Sequence, residues 1–379
     1  MMNPFRYGGV VDRDAFCNRT TELRDLLRAM QQDDRLFVYS ERRLGKTSLV
    51  RLAMENLPRP QNVPVYVDLW PTDGEESFIQ ATARALTEAF ETSTERMVQL
   101  AGSFFRRLAP VITTDDQGHP QIRFEVREVK DGAPPLEEVL SAPAQIAEKR
   151  KCHVVMVFDE FQRILEYPSD RIERTLRSLI QNQRDVSYIF LGSRKHLIQR
   201  MVLDASSPLY RAGGHYPLGP IHVDEWIPFI RDHFERSERR IDKHVIRSLC
   251  ELTGGHPFYT QHLCHAAWEL CDPGEPLTKD DLGAAVDLLL DRETYAYTAL
   301  WETLTTAQRR TLVGLASEPT GPQVFGAGFV RTYRLQSASS VQSAVRALLN
   351  RDLIDREDGS FLILDRFFAL WIRRTARQD

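Results

Sequence analysis

A glycine-lysine-threonine triplet, Gly45-Lys46-Thr47, follows an apolar segment and opens an apolar helical pattern. A strand, a loop and a helix in this order bind phosphate, because the loop and the helix N-terminus offer N–H donors and the lysine neutralises charge. The segment Ser40–Thr47 fits the pattern G-x-x-x-x-G-K-[ST], except that serine replaces the first glycine. The sequence therefore predicts a nucleoside triphosphate site. Its predicted contact residues in this loop are Arg42, Arg43, Leu44, Gly45, Lys46, Thr47 and Ser48.

Two carboxylates, Asp159 and Glu160, come directly after the apolar segment His153–Phe158. At the carboxyl end of a parallel strand they would lie where ligands bind in open α/β sheets. Thr47 and Asp159 are then expected to hold Mg²⁺, and Glu160 to polarise an attacking water. Acids are also common at strand ends for structural reasons, so the pair is informative through its combination with Lys46. Lys46, Asp159 and Glu160 are therefore predicted catalytic residues.

A third polar group, Ser193-Arg194, follows the apolar segment Tyr188–Gly192. We expect Ser193 to contact a phosphate oxygen or the attacking water, and Arg194 to neutralise phosphate charge. Arg194 therefore joins the predicted catalytic residues. The alternative for Arg194 is a solvated arginine at the end of a strand.

Five apolar segments have the length and the β-branched or aromatic content of buried strands. They are Leu36–Tyr39, Val63–Leu69, His153–Phe158, Tyr188–Gly192 and Tyr216–Ile221. Helical patterns separate most of them, which predicts an α/β fold with a parallel sheet and helices on both faces. The acid directly after the magnesium aspartate indicates the ATPase branch of P-loop NTPases (ASCE type), which has an extra strand between the two motifs.

A long segment lies between the second and third predicted strands. Its helical pattern runs from Ser77 to about Leu108, and a small hairpin follows, with strands at Val111–Thr113 and Ile122–Val126. After Ile221 the pattern becomes helical up to about Arg292, with breaks at Thr253–Pro257 and Cys271–Pro276.

The last part of the chain has the pattern of a winged helix-turn-helix, in which two helices are followed by a hairpin around Asp358-Gly359 and a final helix. The three helices are predicted at Thr306–Ala316, Ser339–Asn350 and Phe367–Arg374. We therefore predict three domains: an ATPase domain (1–222), a helical lid domain (223–297) and a winged-helix domain (298–379).

The composition is that of a soluble globular protein, with 42% hydrophobic and 27% charged residues over 379 positions. A net charge of −4 argues against a surface built to coat nucleic acid. No run of about 18 apolar residues and no signal core occurs, so the expected location is the cytoplasm, without a membrane span. The five cysteines are scattered, which argues against a disulfide framework.

These motifs together resemble the archaeal-type branch of the STAND class of P-loop ATPases, distant relatives of AAA+ proteins. The resemblance covers nearly the whole chain. The matching segments are Asn3–Phe5, Phe16–Leu23, Glu41–Leu49, Phe158–Gln162, Leu191–Ser193, Ser207–Ala212, Gly254–Tyr259 and Leu364–Trp371.

The resemblance implies roles for residues outside the loop. Phe16 and Arg19, before the first strand, would contact adenine. His256 and Pro257 would contact the nucleotide from the lid, although Gly-Gly and Pro also simply break helices. Arg211 would complete the predicted catalytic set as a trans-acting or lid-facing arginine that stabilises transition-state charge, or else be a surface arginine.

The preferred hypothesis is an ATP-dependent and Mg²⁺-dependent switch with slow hydrolysis, in which the nucleotide controls the positions of lid and winged helix. A DNA-binding regulator gated by ATP and a non-hydrolysing scaffold are the alternatives. From Glu302 to Asp379, eleven Arg or Lys stand against eight Asp or Glu, an excess of three. This low excess favours an autoinhibitory or protein-binding role of the winged helix over DNA binding. A protein partner or self-association, through the lid or the winged helix, is therefore expected.

Overall fold

The computed structural model describes residues 2–9, 16–114, 120–126, 134–318, 323–357 and 359–376. The chain forms two compact units. One is Arg19–Gly219, and the other combines Met1–Asn18 with Pro220–Asp379. The division into three domains at residues 222 and 297 stays a prediction.

A five-stranded parallel sheet lies at the centre of the Arg19–Gly219 unit. Its strands are β1 (Arg35–Tyr39), β2 (Asn62–Asp68), β5 (His153–Asp159), β6 (Val186–Gly192) and β7 (Gly214–Pro217), and the hairpin strands are β3 (Leu108–Thr114) and β4 (Pro120–Val126). The order across the sheet is β2-β5-β6-β1-β7, and β3 pairs antiparallel with β4. The predicted α/β fold and the hairpin are confirmed. The strand predicted at Tyr216–Ile221 ends earlier, at Pro217, because its partner β1 ends at Tyr39 and prolines lack the N–H needed for pairing.

Helices flank this sheet. They are α1 (Thr20–Met30), α2 (Lys46–Glu55), α3 (Glu75–Phe90), α4 (Thr94–Phe104), α5 (Pro135–Arg150), α6 (Arg171–Ile180) and α7 (Lys195–Leu203), with a short 3-10 helix at Phe161–Glu166. The helical pattern predicted from Ser77 to about Leu108 is confirmed up to Phe104, and it consists of two helices, α3 and α4. Ser93 precedes the second one, and its hydroxyl accepts a hydrogen bond from the Arg96 N–H at 3.4 Å, as an N-cap does.

Aromatic side chains from neighbouring strands form the centre of the sheet's core. The ring of Phe190 on β6 stacks on Phe37 of β1 at 4.7 Å and on Phe158 of β5 at 5.8 Å, and all three are fully buried. Aromatic pairs of this kind combine large apolar burial with a defined geometry. The three strands whose carboxyl ends carry the predicted site residues are therefore held together by one packed cluster.

The second unit is helical around residues 223–302. Its elements there are α8 (Val223–Arg236), β8 (Arg240–Ile241), α9 (Lys243–Thr253), α10 (Pro257–Leu270), β9 (Pro276–Leu277) and α11 (Lys279–Glu302). Both predicted breaks are confirmed, since α9 ends at Thr253 and α10 ends at Leu270. The helix α11 continues across residue 298, where the sequence suggested the start of the last domain.

The winged helix forms the end of the same unit. Its elements are α12 (Thr306–Ser317), α13 (Ala327–Thr332), α14 (Ala338–Asn350), β10 (Ile354–Glu357), β11 (Ser360–Ile363) and α15 (Arg366–Ala376). The hairpin and the three predicted helices are confirmed, and α13 is a further short helix between α12 and α14. Across the described ranges, no helix has both the length and the apolar character needed to cross a bilayer.

Candidate nucleotide site

The site is built at the edge of the sheet where β1, β5 and β6 end. In the parallel register Tyr39 pairs with Gly192 and Asp68 with Asp159, so the residues that follow these strands are brought to one edge. The loop after β1 enters α2 through Gly45, whose φ of 85° is a left-handed conformation that favours glycine. No side chain caps this helix, which leaves its first N–H groups for a ligand.

Lys46 is the most buried charged group of the loop, with 5% of its surface exposed. Its Nζ donates to the Ser40 hydroxyl at 2.9 Å and to the Glu41 carbonyl at 3.1 Å. Burial lowers the pKa of Lys46 to about 8, and the negative charges of Glu160, Asp159 and Glu41 only partly oppose this effect. Both hydrogen-bond acceptors of the buried ammonium are neutral. The ammonium is therefore suited to bind a phosphate oxygen, which would supply a full negative charge in direct contact.

Ser40 replaces the expected glycine without distorting the loop. It is buried, its backbone is not among the left-handed residues, and its N–H donates to the Gly192 carbonyl at 3.3 Å. Its hydroxyl donates to the Glu41 carbonyl at 2.7 Å while accepting from Lys46. The position therefore needs none of glycine's conformational freedom, and the serine adds an acceptor for the lysine.

Asp159 and Thr47 form the predicted metal-binding pair. The Thr47 hydroxyl donates to Asp159 Oδ2 at 2.9 Å, and the Glu160 N–H donates to Oδ1 at 2.8 Å. Tyr66 on β2 also donates to Oδ2, with the Arg51 guanidinium 5.0 Å from the centre of its ring. Burial and the Asp159 charge raise the pKa of Tyr66 far above its usual range, so the phenol stays protonated. A hydroxyl and a carboxylate are the oxygen donors that Mg²⁺ prefers, so this pair fits the ion.

Glu160 lies in a ring of hydrogen bonds with Gln162 and Ser193. The Ser193 hydroxyl donates to Glu160 Oε2 at 2.6 Å, and the Gln162 amide donates to the same oxygen and to Ser193 Oγ, the latter at 3.3 Å. Glu160 has a left-handed backbone, with φ of 53°. The other amide atom, Gln162 Oε1, is buried and has no hydrogen-bond partner among the described residues. The Glu160 carboxylate, whose role towards water stays a prediction, is thus held by two donors.

Gly192 is needed to bring this ring together. A Cβ at this position would lie 2.2 Å from Cγ1 of Ile198 on α7 and 3.1 Å from Gln162 Oε1. The close approach of α7 to the end of β6 therefore requires glycine directly before Ser193.

The predicted arginines lie at the periphery of these contacts. Arg42 and Arg43 are exposed on the loop. Arg194 precedes α7 and pairs with Glu166 at 3.3 Å. The Arg211 guanidinium is exposed and lies 5.1 Å from the centre of the Tyr210 ring. Their predicted roles stay predictions.

Arg19 is a buried arginine with 1% of its surface exposed. Its guanidinium donates to the Leu44 carbonyl at 3.1 Å and to the Gly219 carbonyl at 2.9 Å, and pairs with Glu22 at 3.1 Å. Arg19 thus joins the start of α1 to the phosphate loop. Phe16 is half-buried and belongs to the other unit.

His256 and Pro257 also belong to the other unit, where Pro257 begins α10 and His256 precedes it. His256 is buried, with its ring 4.8 Å from that of Tyr259. A Cβ at Gly255 would lie 2.4 Å from the Ile221 carbonyl, so the glycine permits close packing of these two segments. The break between α9 and α10 therefore has a structural purpose, and the nucleotide contact of His256 and Pro257 stays a prediction.

Sequence reasoning gave no role to two members of this site, Tyr66 and Gln162. Tyr66 is one of several aromatic residues in a strand pattern, and only the pairing of β2 with β5 places its hydroxyl on Asp159. Gln162 lies two residues after Glu160, in the short 3-10 helix that brings its amide back to the Glu160 carboxylate. The sequence signal for Gln162 was this closeness in the chain to the predicted catalytic acid.

Comparisons with known proteins agree with this fold. Residues 16–263 match the family described as an ATPase domain predominantly from Archaea, and residues 295–374 match a probable winged helix domain. Among solved structures, the Walker-type ATPase paby2304 of Pyrococcus abyssi aligns with a TM-score of 0.63 and 17% identity, over 95% of this chain and 97% of that one. The Aeropyrum pernix ORC2 protein, solved in ADPNP and ADP complexes, aligns with a TM-score of 0.51 and 13% identity, over 96% and 95% of the two chains. At such identities these structures support the fold alone. No curated protein sequence matches.

Proposed function

Since this chain belongs to the family of ATPase domains found predominantly in Archaea, we propose that it binds Mg-ATP at the phosphate loop and hydrolyses it slowly as a molecular switch. One observation carries the proposal: Lys46, Thr47, Asp159 and Glu160 come together at the carboxyl edge of the sheet. Thr47 and the Glu160 N–H donate to Asp159, and the negative charges of Asp159 and Glu160 act on Lys46. The finer assignment to the STAND class rests on the sequence motifs and is part of the proposal.

In the proposed binding mode, the uncapped N-terminus of α2 and the Lys46 ammonium hold the phosphates. Lys46 exchanges its neutral acceptors, Ser40 and Glu41, for phosphate oxygens. Thr47 and Asp159 would hold Mg²⁺, which supplies charge neutralisation for the phosphates. The Tyr66 hydroxyl, on β2, donates to the same Asp159 oxygen as Thr47 and so helps to orient the carboxylate.

Hydrolysis requires Glu160 to accept a proton from water or to polarise it. The Ser193 hydroxyl has one proton, which it gives to Glu160, and it accepts from Gln162. A terminal phosphate oxygen near Ser193 would be a competing acceptor for that proton. We infer that ATP draws the Ser193 hydrogen bond away from Glu160 and so releases the carboxylate to act on water.

A protein contact is the better proposal for the winged helix than a DNA contact. The exposed face of α14 carries one arginine, Arg346. Of the terminal arginines, Arg373 donates to the Ala316 carbonyl and Arg374 pairs with Asp291 at 2.9 Å. Arg377 lies outside the described residues. Arg373 and Arg374 are therefore used in internal contacts, which weakens their attraction for phosphates. In this proposal, ATP binding controls self-association of the protein through the winged helix.

The experiment measures ATP affinity and turnover for wild type and Lys46→Ala, each with and without duplex DNA at two salt concentrations. We expect wild type to bind ATP in a Mg²⁺-dependent manner, Lys46→Ala to lose most of this affinity, and DNA to change neither quantity. ATP affinity that is unaltered in Lys46→Ala would overturn the proposed site. Salt-sensitive DNA binding that responds to ATP would replace the switch by the DNA-binding regulator.

A further inference from the structure

A second cluster of ligand-type side chains lies at the amino edge of the same sheet, away from the nucleotide site. Asp33 precedes β1, His153 begins β5 and Asp185 precedes β6. Because these strands are parallel, their amino ends meet at one edge while the phosphate loop leaves the other. One ligand atom from each of the three side chains lies within 4.8 Å of the other two. The proposed ATPase mechanism uses none of them.

The hydrogen bonds of His153 fix which ring nitrogen faces the carboxylates. Ser187 is fully buried, and its hydroxyl donates to the Met30 carbonyl at 3.1 Å. Its single proton is thereby used, so its 2.8 Å contact with His153 Nε2 requires the imidazole to donate. In the neutral ring, Nδ1 then carries the lone pair, and Nδ1 lies 3.3 Å from Asp33 Oδ1.

This arrangement is the one that a metal-binding histidine needs. Ligating imidazoles commonly donate their second N–H to an oxygen acceptor, which sets the tautomer and the ring orientation. Here Ser187 supplies that acceptor from the interior of the sheet. The ring is therefore already oriented, with its lone pair towards the carboxylates.

The two carboxylates lie close enough together to share one cation. Within the described parts of the chain, neither Asp33 nor Asp185 is paired with a lysine or an arginine, and like charges this close repel each other. Both residues also have left-handed backbones, with φ of 53° and 57°, in the turns that lead into β1 and β6. A bound cation would offset the repulsion that this arrangement creates.

We propose that Asp33, His153 and Asp185 bind a divalent transition-metal ion of the Zn²⁺ or Co²⁺ type, with water completing the coordination. One imidazole nitrogen with two carboxylate oxygens suits such borderline ions better than Mg²⁺. Ligands on a tetrahedral ion with bonds of about 2.1 Å are separated by about 3.4 Å, close to the observed 3.3 Å between Asp33 and His153. Asp185 is exposed, so its side chain is free to rotate the remaining distance.

Such an ion would act as a structural clip. It would join the residues at the amino ends of β5, β6 and β1, which are three consecutive strands of the sheet. Ion binding to the folded chain alone stabilises it by mass action, independently of nucleotide.

Equilibrium dialysis of the nucleotide-free protein against Zn²⁺, repeated with Co²⁺, tests the site. Saturating Mg²⁺ is kept present so that the carboxylates of the phosphate site are occupied. We expect one ion per chain and a rise in thermal midpoint on loading. His153→Gln and Asp185→Asn should each weaken binding at least tenfold. Asp185 is exposed, so its variant keeps the fold, and circular dichroism verifies this for both.

Two variants serve as matched controls. Asp34→Asn removes the same charge one residue from Asp33, and Cys152→Ser removes the thiol that precedes His153; both should bind the ion as wild type does. Binding unaltered by His153→Gln and Asp185→Asn would overturn the proposal. Loss in Cys152→Ser alone would assign the ion to the thiol, and the absence of saturable binding in wild type would leave only a His–Asp ion pair.

Discussion

The low pKa of Lys46 predicts that ATP affinity falls with pH above neutrality. In the nucleotide-free protein burial lowers this pKa to about 8. About three quarters of the molecules then carry a charged Lys46 at pH 7.5, and about one tenth do so at pH 9.0. Bound phosphates favour the ammonium and hold the pKa higher in the complex. Affinity should therefore drop by about eightfold between these two pH values, and binding at pH 9.0 should take up a proton.

The sign follows from which state binds the proton more tightly. The complex keeps the proton to higher pH than the free protein, so affinity is complete only well below pH 8 and is lost as pH rises through that value. Phosphate groups have their last pKa at about 6, so the ligand's own charge is constant in this window. Tyr66, the nearby phenol, has its pKa raised and stays neutral.

Isothermal titration calorimetry with Mg-ATP, in two buffers of different ionisation enthalpy, measures both the affinity and the proton uptake. Lys46→Met is the control, because its weaker binding should be the same at both pH values. Equal wild-type affinities at pH 7.5 and pH 9.0 would refute the assignment of the buried lysine as a phosphate ligand.

Three further predictions concern single side chains. Tyr66→Phe removes one hydrogen bond from the magnesium-site carboxylate; we expect a loss of about 1 kcal/mol in Mg-ATP affinity, with Mg-free affinity unchanged, and a parallel loss in both titrations would contradict this. Gln162→Met removes one of two donors to Glu160 at similar volume, so basal turnover in a phosphate-release assay should rise severalfold; a fall would mean that the amide positions the carboxylate for catalysis. Gly192→Ala places a Cβ 2.2 Å from an isoleucine carbon of α7 and should lower the thermal midpoint by several degrees. The control Gly102→Ala, with open space around its Cβ, should leave the midpoint unchanged. Equal midpoints for the two variants would show that α7 can move to accept the extra methyl group.

The strands and the phosphate loop could be predicted because local patterns determine them. The apolar runs of β1, β5 and β6 stand out from polar surroundings, and Gly45-Lys46-Thr47 is a local motif with a single structural context. The winged helix was also accessible, since its hairpin turn at Gly359 and its helices are short-range features. The secondary structure and the phosphate loop, which depend on short-range sequence patterns, were therefore predictable from the sequence.

Other features depend on pairing between distant segments. Tyr66 reaches Asp159 only because β2 lies beside β5, and Arg19 is buried only because the loop and the end of β7 close over it. No periodicity encodes such neighbours. The boundary between α3 and α4 was hard to predict, because the helical pattern continues across it and the N-cap residue Ser93 is its main sequence signal.

Ser40 shows how a departure from a motif gains meaning from structure. In the sequence it was a missing glycine, whereas in the folded chain its hydroxyl is an acceptor for Lys46 at 2.9 Å. We expect Ser40→Gly to leave ATP binding intact or to improve it, because the lysine then loses one competing partner. A large loss in affinity would mean that the serine is needed to keep the loop closed.

The central claim is that Glu160 acts on water at a site where Lys46, Thr47 and Asp159 hold Mg-ATP. The most direct test compares single-turnover hydrolysis of bound ATP by wild type and Glu160→Gln, with nucleotide affinity measured on the same samples. We predict that Glu160→Gln binds ATP at least as tightly as wild type and hydrolyses it at least a hundredfold more slowly, on the order of 3 kcal/mol in activation free energy. Equal hydrolysis rates in the two proteins would contradict the account.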